Sequence, residues 1–450
     1  MHKDSGCFIG KHEKPFDMPH NIVEKTLEGN LAIFAGAGVS TENKIVFPNT
    51  LYEEVCDEIK IDYDKSFSVV MSLYCEKFSR KKLLHKIKNR FDYIFAFNQL
   101  YNFASRFHRE LSTIHQIKDI FTTNWDDLFE RECGAIPIVT SKDFVFWDFP
   151  ERKVFKLHGS INNIGTIIAT KDDYENCYDK LSNKLIGNYL KMALATKCIL
   201  FVGYSFRDED FNKIYNLLKK EMGELLPKAY LVTLDDEAKQ KFKDTNIEPI
   251  ITDATYFIKK LKQIIINKEK MLKDEILEEA SYLLYTVTNL HQELANKYTV
   301  KDHPSLLYTL TYQDGLIQAL QRINNRKNTG EYSNKKNICT IIDKYEQLQK
   351  NKMQQELYSD VSYIEGYLNG LRFIINKDLR NPDYRIPIYF IFGRDELGKF
   401  NKEPLNYNEF KKIIEEDNIL DKQAYKYAIE YLDKLDDNEK NLVVHHTPFL

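Results

Sequence analysis

Three observations predict an α/β fold with a Rossmann-like parallel sheet at its centre. β-rich runs alternate with helical stretches up to about residue 260. The runs are apolar without polar alternation, as in strands covered by helices on both faces. Most of them end in small or polar residues, and in a parallel sheet the carboxyl ends of the strands collect the functional groups.

The first run, "LAIFAG" at 31–36, leads into Gly36, Ala37, Gly38 and, two places on, Ser40. That pattern is a strand feeding a glycine turn, a usual way to bring backbone close to a phosphate. It is not the dinucleotide fingerprint, because Thr41 stands where the third glycine belongs. Residues 51–116 are too long for one crossover helix. They read as a helical insertion containing "LYEEVCDEI", "FSVVMSLYCEKF" and "YIFAFNQLYNFASRFHRELSTI". The basic stretch "RKKLLHKIKNR" at 80–90 has no interleaved aromatic residues and reads as a solvated helix face.

Six further strand candidates follow: "DIFTTN" at 119–124, "PIVT" at 137–140, "VFKLHG" at 154–159, "CILFVGYS" at 198–205, "AYLVTL" at 229–234 and "PIIT" at 249–252. Beyond residue 260 apolar residues recur every three or four places, which is helical periodicity. Helical stretches are expected around 305–324, 338–376 and 408–435, with a loop at 325–337. The expected division is a catalytic domain over 1–269 and a mainly α-helical C-terminal domain over 270–450.

Composition narrows the class. A chain of 450 residues with 43% hydrophobic and 29% charged residues suits a large folded core, and 28 Tyr with 28 Phe argue against disorder. A net charge of -3 gives no global attraction to nucleic acid or membrane. No apolar run approaches the roughly 20 residues of a membrane span, and the first residues hold no apolar core of signal-peptide length. The seven cysteines include no C-x-x-C pair, so reduced thiols in a cytoplasmic protein are expected.

Four strand ends carry residues able to do chemistry. They are the glycine turn, "FTTNWDD" with Thr123, Asn124 and Asp126, "KLHGS" with His158, and "GYSFRDED" with Gly203 and Ser205. Each has a structural explanation of its own; Asn124 or Asp126 can cap a helix beginning at Leu128. Parallel strands place all four on a common rim. A fifth motif, "FGRDELGKF" at 392–400, fits the P-loop spacing but follows Lys399 with Phe400 and puts Asp395 and Glu396 inside the cradle. It reads as a charged turn.

The ordered set "GAGVS", "TTNWD", "KLHGS" and "GYSFRDED" resembles the sirtuin family over roughly residues 20–260. The resemblance implies NAD as substrate, cleaved at its nicotinamide–ribose bond. It places the phosphates against the glycine turn and the helix after it, and the adenosine side against Ser205. Gly36, Ala37, Gly38, Ser40, Thr123, Asp126, Gly203 and Ser205 are then the cofactor-binding residues. Asn124 orients a water or ribose hydroxyl, His158 accepts its proton, and Asp126 holds the site in shape.

The family's protein deacylases carry a zinc ribbon with two C-x-x-C pairs after the histidine motif. Here only Cys177 and Cys198 lie between Gly159 and Gly203, so no zinc is expected. The pattern is more similar to the sirtuin-like NADases of prokaryotic antiviral systems. That implies an NAD hydrolase yielding nicotinamide and ADP-ribose, depleting NAD in abortive infection under control of a trigger or partner. The alternatives are an NAD-dependent protein deacylase and a non-catalytic NAD or ADP-ribose sensor. A homo-oligomer and a regulatory protein partner from a defence operon are expected, with residues 270–450 mediating assembly or docking. No membrane and no sequence-specific nucleic acid are expected as partners.

Overall fold

Seven apolar segments pair into one sheet: β1 (Leu31–Ala35), β2 (Asp119–Thr122), β3 (Ile136–Ile138), β4 (Lys153–Lys156), β5 (Cys198–Val202), β6 (Ala229–Thr233) and β7 (Ile247–Ile251). In this computed structural model the described residues are 12–42, 46–206, 209–378, 384–392, 407–415 and 422–434. The strand order is β3-β4-β2-β1-β5-β6-β7, and every neighbouring pair is parallel. Every residue of β1, β2, β4 and β5 is buried, which explains their continuous apolar reading. The two edge strands each carry a proline, Pro137 in β3 and Pro249 in β7. A missing N–H blunts an exposed edge, so proline is tolerated there and not in the centre.

The chain divides into two compact units, Met1–Lys270 with Asn328–Gly330, and Met271–Lys327 with Glu331–Leu450. The first unit holds the sheet. Between β1 and β2 its described residues form five α-helices, Leu51–Ile59, Phe67–Lys77, Arg80–Ala96, Asn98–Ala104 and Arg106–Ser112. The first of these starts at a reciprocal cap. The Thr50 hydroxyl accepts from the Glu53 amide at 3.2 Å, and the Glu53 carboxylate accepts from the Thr50 amide at 2.7 Å. The insertion has its own core, with Val55, Val70, Met71, Leu83 and Ile87 packed against Ile167 and Ala169 from beyond β4. It is therefore anchored to the segment that follows a candidate catalytic strand.

The second unit is helical: Asp274–Lys297, Leu306–Arg326, Lys335–Gln354, Tyr358–Asp378, Tyr407–Glu415 and Lys422–Asp433. The periodic stretch 338–376 is thus two helices, separated where Glu356 adopts a φ of +57°. Helices Leu306–Arg326 and Tyr358–Asp378 meet through glycines. A Cβ on Gly315 would lie 1.9 Å from the Tyr363 carbonyl, and one on Gly366 would lie 1.9 Å from the Tyr312 carbonyl. Such backbone contact brings the axes together, and 14 of the 21 residues in each helix are buried. None of the described helices is long and apolar enough to cross a membrane.

In the first unit, His108 lies in the helix Arg106–Ser112, fully buried, with its ring edge-on to Phe129 at a centroid distance of 4.4 Å. Burial pushes its pKa down to about 4. In the unfolded chain a histidine titrates near 6.5. Between those values the unfolded state binds the extra proton, so this contribution is complete above pH ~6.5 and is lost as the pH falls toward ~4. Replacing His108 by Phe keeps the ring packing and removes the proton. Urea unfolding of both proteins should show their stability difference changing by on the order of 3 kcal/mol across that range. Parallel pH profiles would contradict this.

Candidate active site

The register of the parallel sheet decides which residues share the rim. β1 ends with Ala35 opposite Thr122 of β2 and Val202 of β5, and Thr122 lies opposite Lys156 of β4. Gly36 and Gly203 therefore follow directly on paired residues, while Asn124 and His158 each stand two residues past a matched pair. The chain passes from β1 to β2 on one side and later crosses from β4 to β5 on the other side of β1, so the rim lies at a switch in strand order.

The glycine turn is built against the end of β5. The Gly36 amide donates to the Val202 carbonyl at 2.9 Å and the Gly38 amide to the Gly203 carbonyl at 3.1 Å. A Cβ on Gly36 would come within 2.4 Å of the Gly203 carbonyl oxygen. Gly203 itself has a φ of +55°, and its Cβ would come within 2.5 Å of the Val39 nitrogen. The glycines are thus required by contact between two strand ends. Both amides are therefore engaged inside the protein. No α-helix follows at once: Ala37–Val39 is a single 3-10 turn, and the next described α-helix begins at Leu51.

Ser40, Asn124 and Asp126 form one buried chain of hydrogen bonds. The Asn124 side-chain nitrogen donates to the Gly36 carbonyl at 3.1 Å and to Ser40 Oγ at 3.2 Å. The Ser40 hydroxyl donates to Asp126 Oδ2 at 2.9 Å, and Asp126 Oδ1 accepts from the Leu128 amide at 3.2 Å. Asp126 thus takes the first amide of the helix Leu128–Cys133, whose N-cap is Asp127, and serves the rim at once. The chain also fixes which way the Asn124 amide faces. Gly36 offers only an acceptor and Ser40 has given its proton away, so the nitrogen must point to both. Asn124 Oδ1 is left buried with no hydrogen-bond partner. An unmet buried acceptor costs about 1–3 kcal/mol, and a ligand that supplies the missing donor is one way to remove that cost.

His158 is buried, 4% exposed, with its ring edge-on to Tyr174 at 5.1 Å. The chain turns immediately after it at Gly159, where φ is +86° and a Cβ would strike the Thr166 carbonyl at 2.1 Å. The loops after β2 and β4 are tied together. The Ile161 amide donates to the Trp125 carbonyl at 2.8 Å, and the Asn162 side chain donates to Asp127 at 3.2 Å. Thr123 is half-buried, Ser205 is exposed at the end of β5, and Ala37 and Gly38 are the accessible part of the glycine turn. Arg207 and Asp208 of the fourth motif, and the 393–400 part of the P-loop-like sequence, lie outside the described residues.

Two further residues support the rim: Thr122, which belongs to the "FTTNWDD" strand end, and Lys156, which sequence alone does not single out. Thr122 donates to the Ala35 carbonyl at 2.9 Å and accepts from the Asn124 amide at 3.0 Å, pinning β1 to the start of the Asn124 loop. Lys156 is fully buried, donates to the Asp126 carbonyl, and lies 3.5 Å from Glu130. Burial pushes the Glu130 carboxyl up, against the pull of that ammonium. The signal was present in "VFKLHG": a lysine inside an otherwise apolar central strand needs a specific partner.

A family model described as a SIR2-like domain matches residues 118–250. The matched stretch takes in β2 through β6 with Asn124, His158, Gly203 and Ser205, and over those residues the chain is similar to a SIR2-like domain. Among curated proteins, it is 32% identical over 206 residues to the NAD(+) hydrolase ThsA of Cytobacillus dafuensis, covering 44% of this chain and 40% of that protein. It is also 32% identical over 202 residues to NAD(+) hydrolase ThsA of Enterococcus faecium, covering 42% and 39%. It is 24% identical over 225 residues to Defense-associated sirtuin 2 of Bacillus subtilis, covering 48% and 22%. The chain thus spans about two-fifths of the length of the first two relatives.

Gly203→Ala tests the strand-end contact. It adds a Cβ at a left-handed φ and against backbone, and should cost about 2–4 kcal/mol of stability. Thermal melts that coincide with wild type would show that the turn yields without cost.

Proposed function

We propose that this chain hydrolyses NAD at the nicotinamide–ribose bond, giving nicotinamide and ADP-ribose, in antiviral defence. The observation that carries the reading is Asn124 Oδ1, a buried acceptor without a protein donor, on a side chain whose nitrogen is already fixed. The SIR2-like match and the relatives named as NAD(+) hydrolases support the substrate.

In the proposed reaction the Asn124 oxygen accepts a hydrogen bond from the attacking water and aims its lone pair at the ribose carbon. The transition state is oxocarbenium-like, as in sugar hydrolysis, and needs the nucleophile within about 3.5 Å and in line with the leaving group. As the carbon–oxygen bond forms, the carbon–nitrogen bond breaks and its electron pair leaves with nicotinamide. His158 takes the proton from the water and returns it to solvent. Asp126 and Ser40 hold the Asn124 amide in place. The exposed Ala37–Gly38 turn and Ser205, on either side of the Gly36–Gly203 contact, are assigned to the phosphate and adenosine parts of the substrate.

Asn124→Ala and His158→Ala should each lower kcat by about 100-fold or more, with a smaller change in KM. Nicotinamide release is the measurement, made with NAD alone and with an acyl-lysine peptide added. Full turnover in both variants removes the assignment. Release that requires the peptide makes the protein a deacylase, and saturable NAD binding with no product makes it a sensor.

We further propose that residues 271–450 serve self-assembly or docking of a regulatory partner that holds the enzyme off until triggered. Tyr282 and Tyr285 support this reading, being 75% and 68% exposed on the helix Asp274–Lys297. Light scattering should find the wild type multimeric and the Tyr282→Glu/Tyr285→Glu variant in a smaller species. Equal masses would remove this face from the assembly.

A further inference from the structure

Lys156 poses a question that packing does not answer. It is the last paired residue of β4, and its side chain is wholly inside the protein. Desolvating an ammonium costs several kcal/mol, and well-packed apolar side chains often replace a buried ion pair without loss. Among the described residues its partners are one main-chain carbonyl, that of Asp126, and one carboxylate, Glu130, at 3.5 Å. Neither Glu130 oxygen has a hydrogen bond, so the ion pair is loose while the bond to the carbonyl is direct. The ammonium is aimed at the backbone of the loop that follows β2.

That carbonyl belongs to the residue from which the rim's hydrogen-bond chain runs. The Asp126 carboxylate takes the Ser40 hydroxyl, Ser40 takes the Asn124 nitrogen, and the Asn124 oxygen is what remains. Without that anchor the main chain at Asp126 is free to shift, which would draw the carboxylate off Ser40 and let the Asn124 amide turn over. We infer that Lys156 is a positioning residue, which clamps the Asp126 peptide so that Asn124 presents its oxygen to the substrate. This rests on the NAD-hydrolase reading for its consequence in turnover, but the clamp itself is a property of the loop.

The test uses the full chain with Lys156→Met, which keeps the stem and removes the charge, and Lys156→Met/Glu130→Gln, which removes both charges. Lys156→Met should lower kcat about 30-fold with KM for NAD within about threefold. The double variant should recover the melting temperature but keep kcat at least about tenfold low. Activity that returns together with stability would reduce Lys156 to a structural strut and overturn the proposal. If Lys156→Met does not fold, the double variant alone decides on the same criterion. Amide exchange gives a readout that needs no turnover. Residues 123–128 should exchange about tenfold faster in the folded variant while β1 and β5 are unchanged. Unchanged exchange in the loop overturns the clamp. A wild type that releases no nicotinamide defeats the hydrolase reading, and exchange then still decides the role of Lys156.

Discussion

Where the turn after β1 meets the end of β5, neither chain leaves room for a side chain, and the candidate site depends on that meeting. Gly36 and Gly38 give their amides to Val202 and Gly203, and Gly203 adopts a positive φ so that its own backbone fits beneath Val39. The contact fixes the Gly36 carbonyl, and that carbonyl is one of the two anchors of Asn124. Glycine here serves close approach of protein to protein. The accessible turn at Ala37 and Gly38 is what this packing leaves facing outward.

The second feature of the rim is a polar chain that is satisfied at every step except one. Thr122, Ser40, Asp126 and the Leu128 amide each have their partners, and the remainder is a single amide oxygen on Asn124. Networks of this kind are rigid because breaking one link strands the others in a low-dielectric interior. A site that must aim one acceptor at one carbon gains from such rigidity. The loop after β4 joins the same network through Ile161 and Asn162, so His158 and Asn124 sit on loops that are bonded to each other.

The helical unit follows a simpler rule. Two glycines placed on facing helices, Gly315 and Gly366, let each backbone touch the other, and polar residues such as Gln313, Glu365 and Asn369 are enclosed along with the apolar ones. Periodicity alone shows which residues recur on a face. It does not distinguish a helix with one buried face from a helix buried all round.

Much of the architecture was determined by the sequence alone. Apolar runs mark all seven strands, most continuously in the centre where both faces of the parallel sheet are covered, and the predicted runs differ from the observed strands chiefly at their ends. The runs extend through Gly36, Asn124, His158 and Ser205, which lie past the last residues of β1, β2, β4 and β5. Tertiary structure decided the rest. It joined Ser40 to Asp126 across 86 positions and Lys156 to Asp126 across 30, turned the glycine amides inward, and divided the 338–376 stretch at Glu356. Local pattern reports how often a residue faces the interior. Which donor meets which acceptor depends on the sheet register that brings distant strand ends together, and no local pattern carries that.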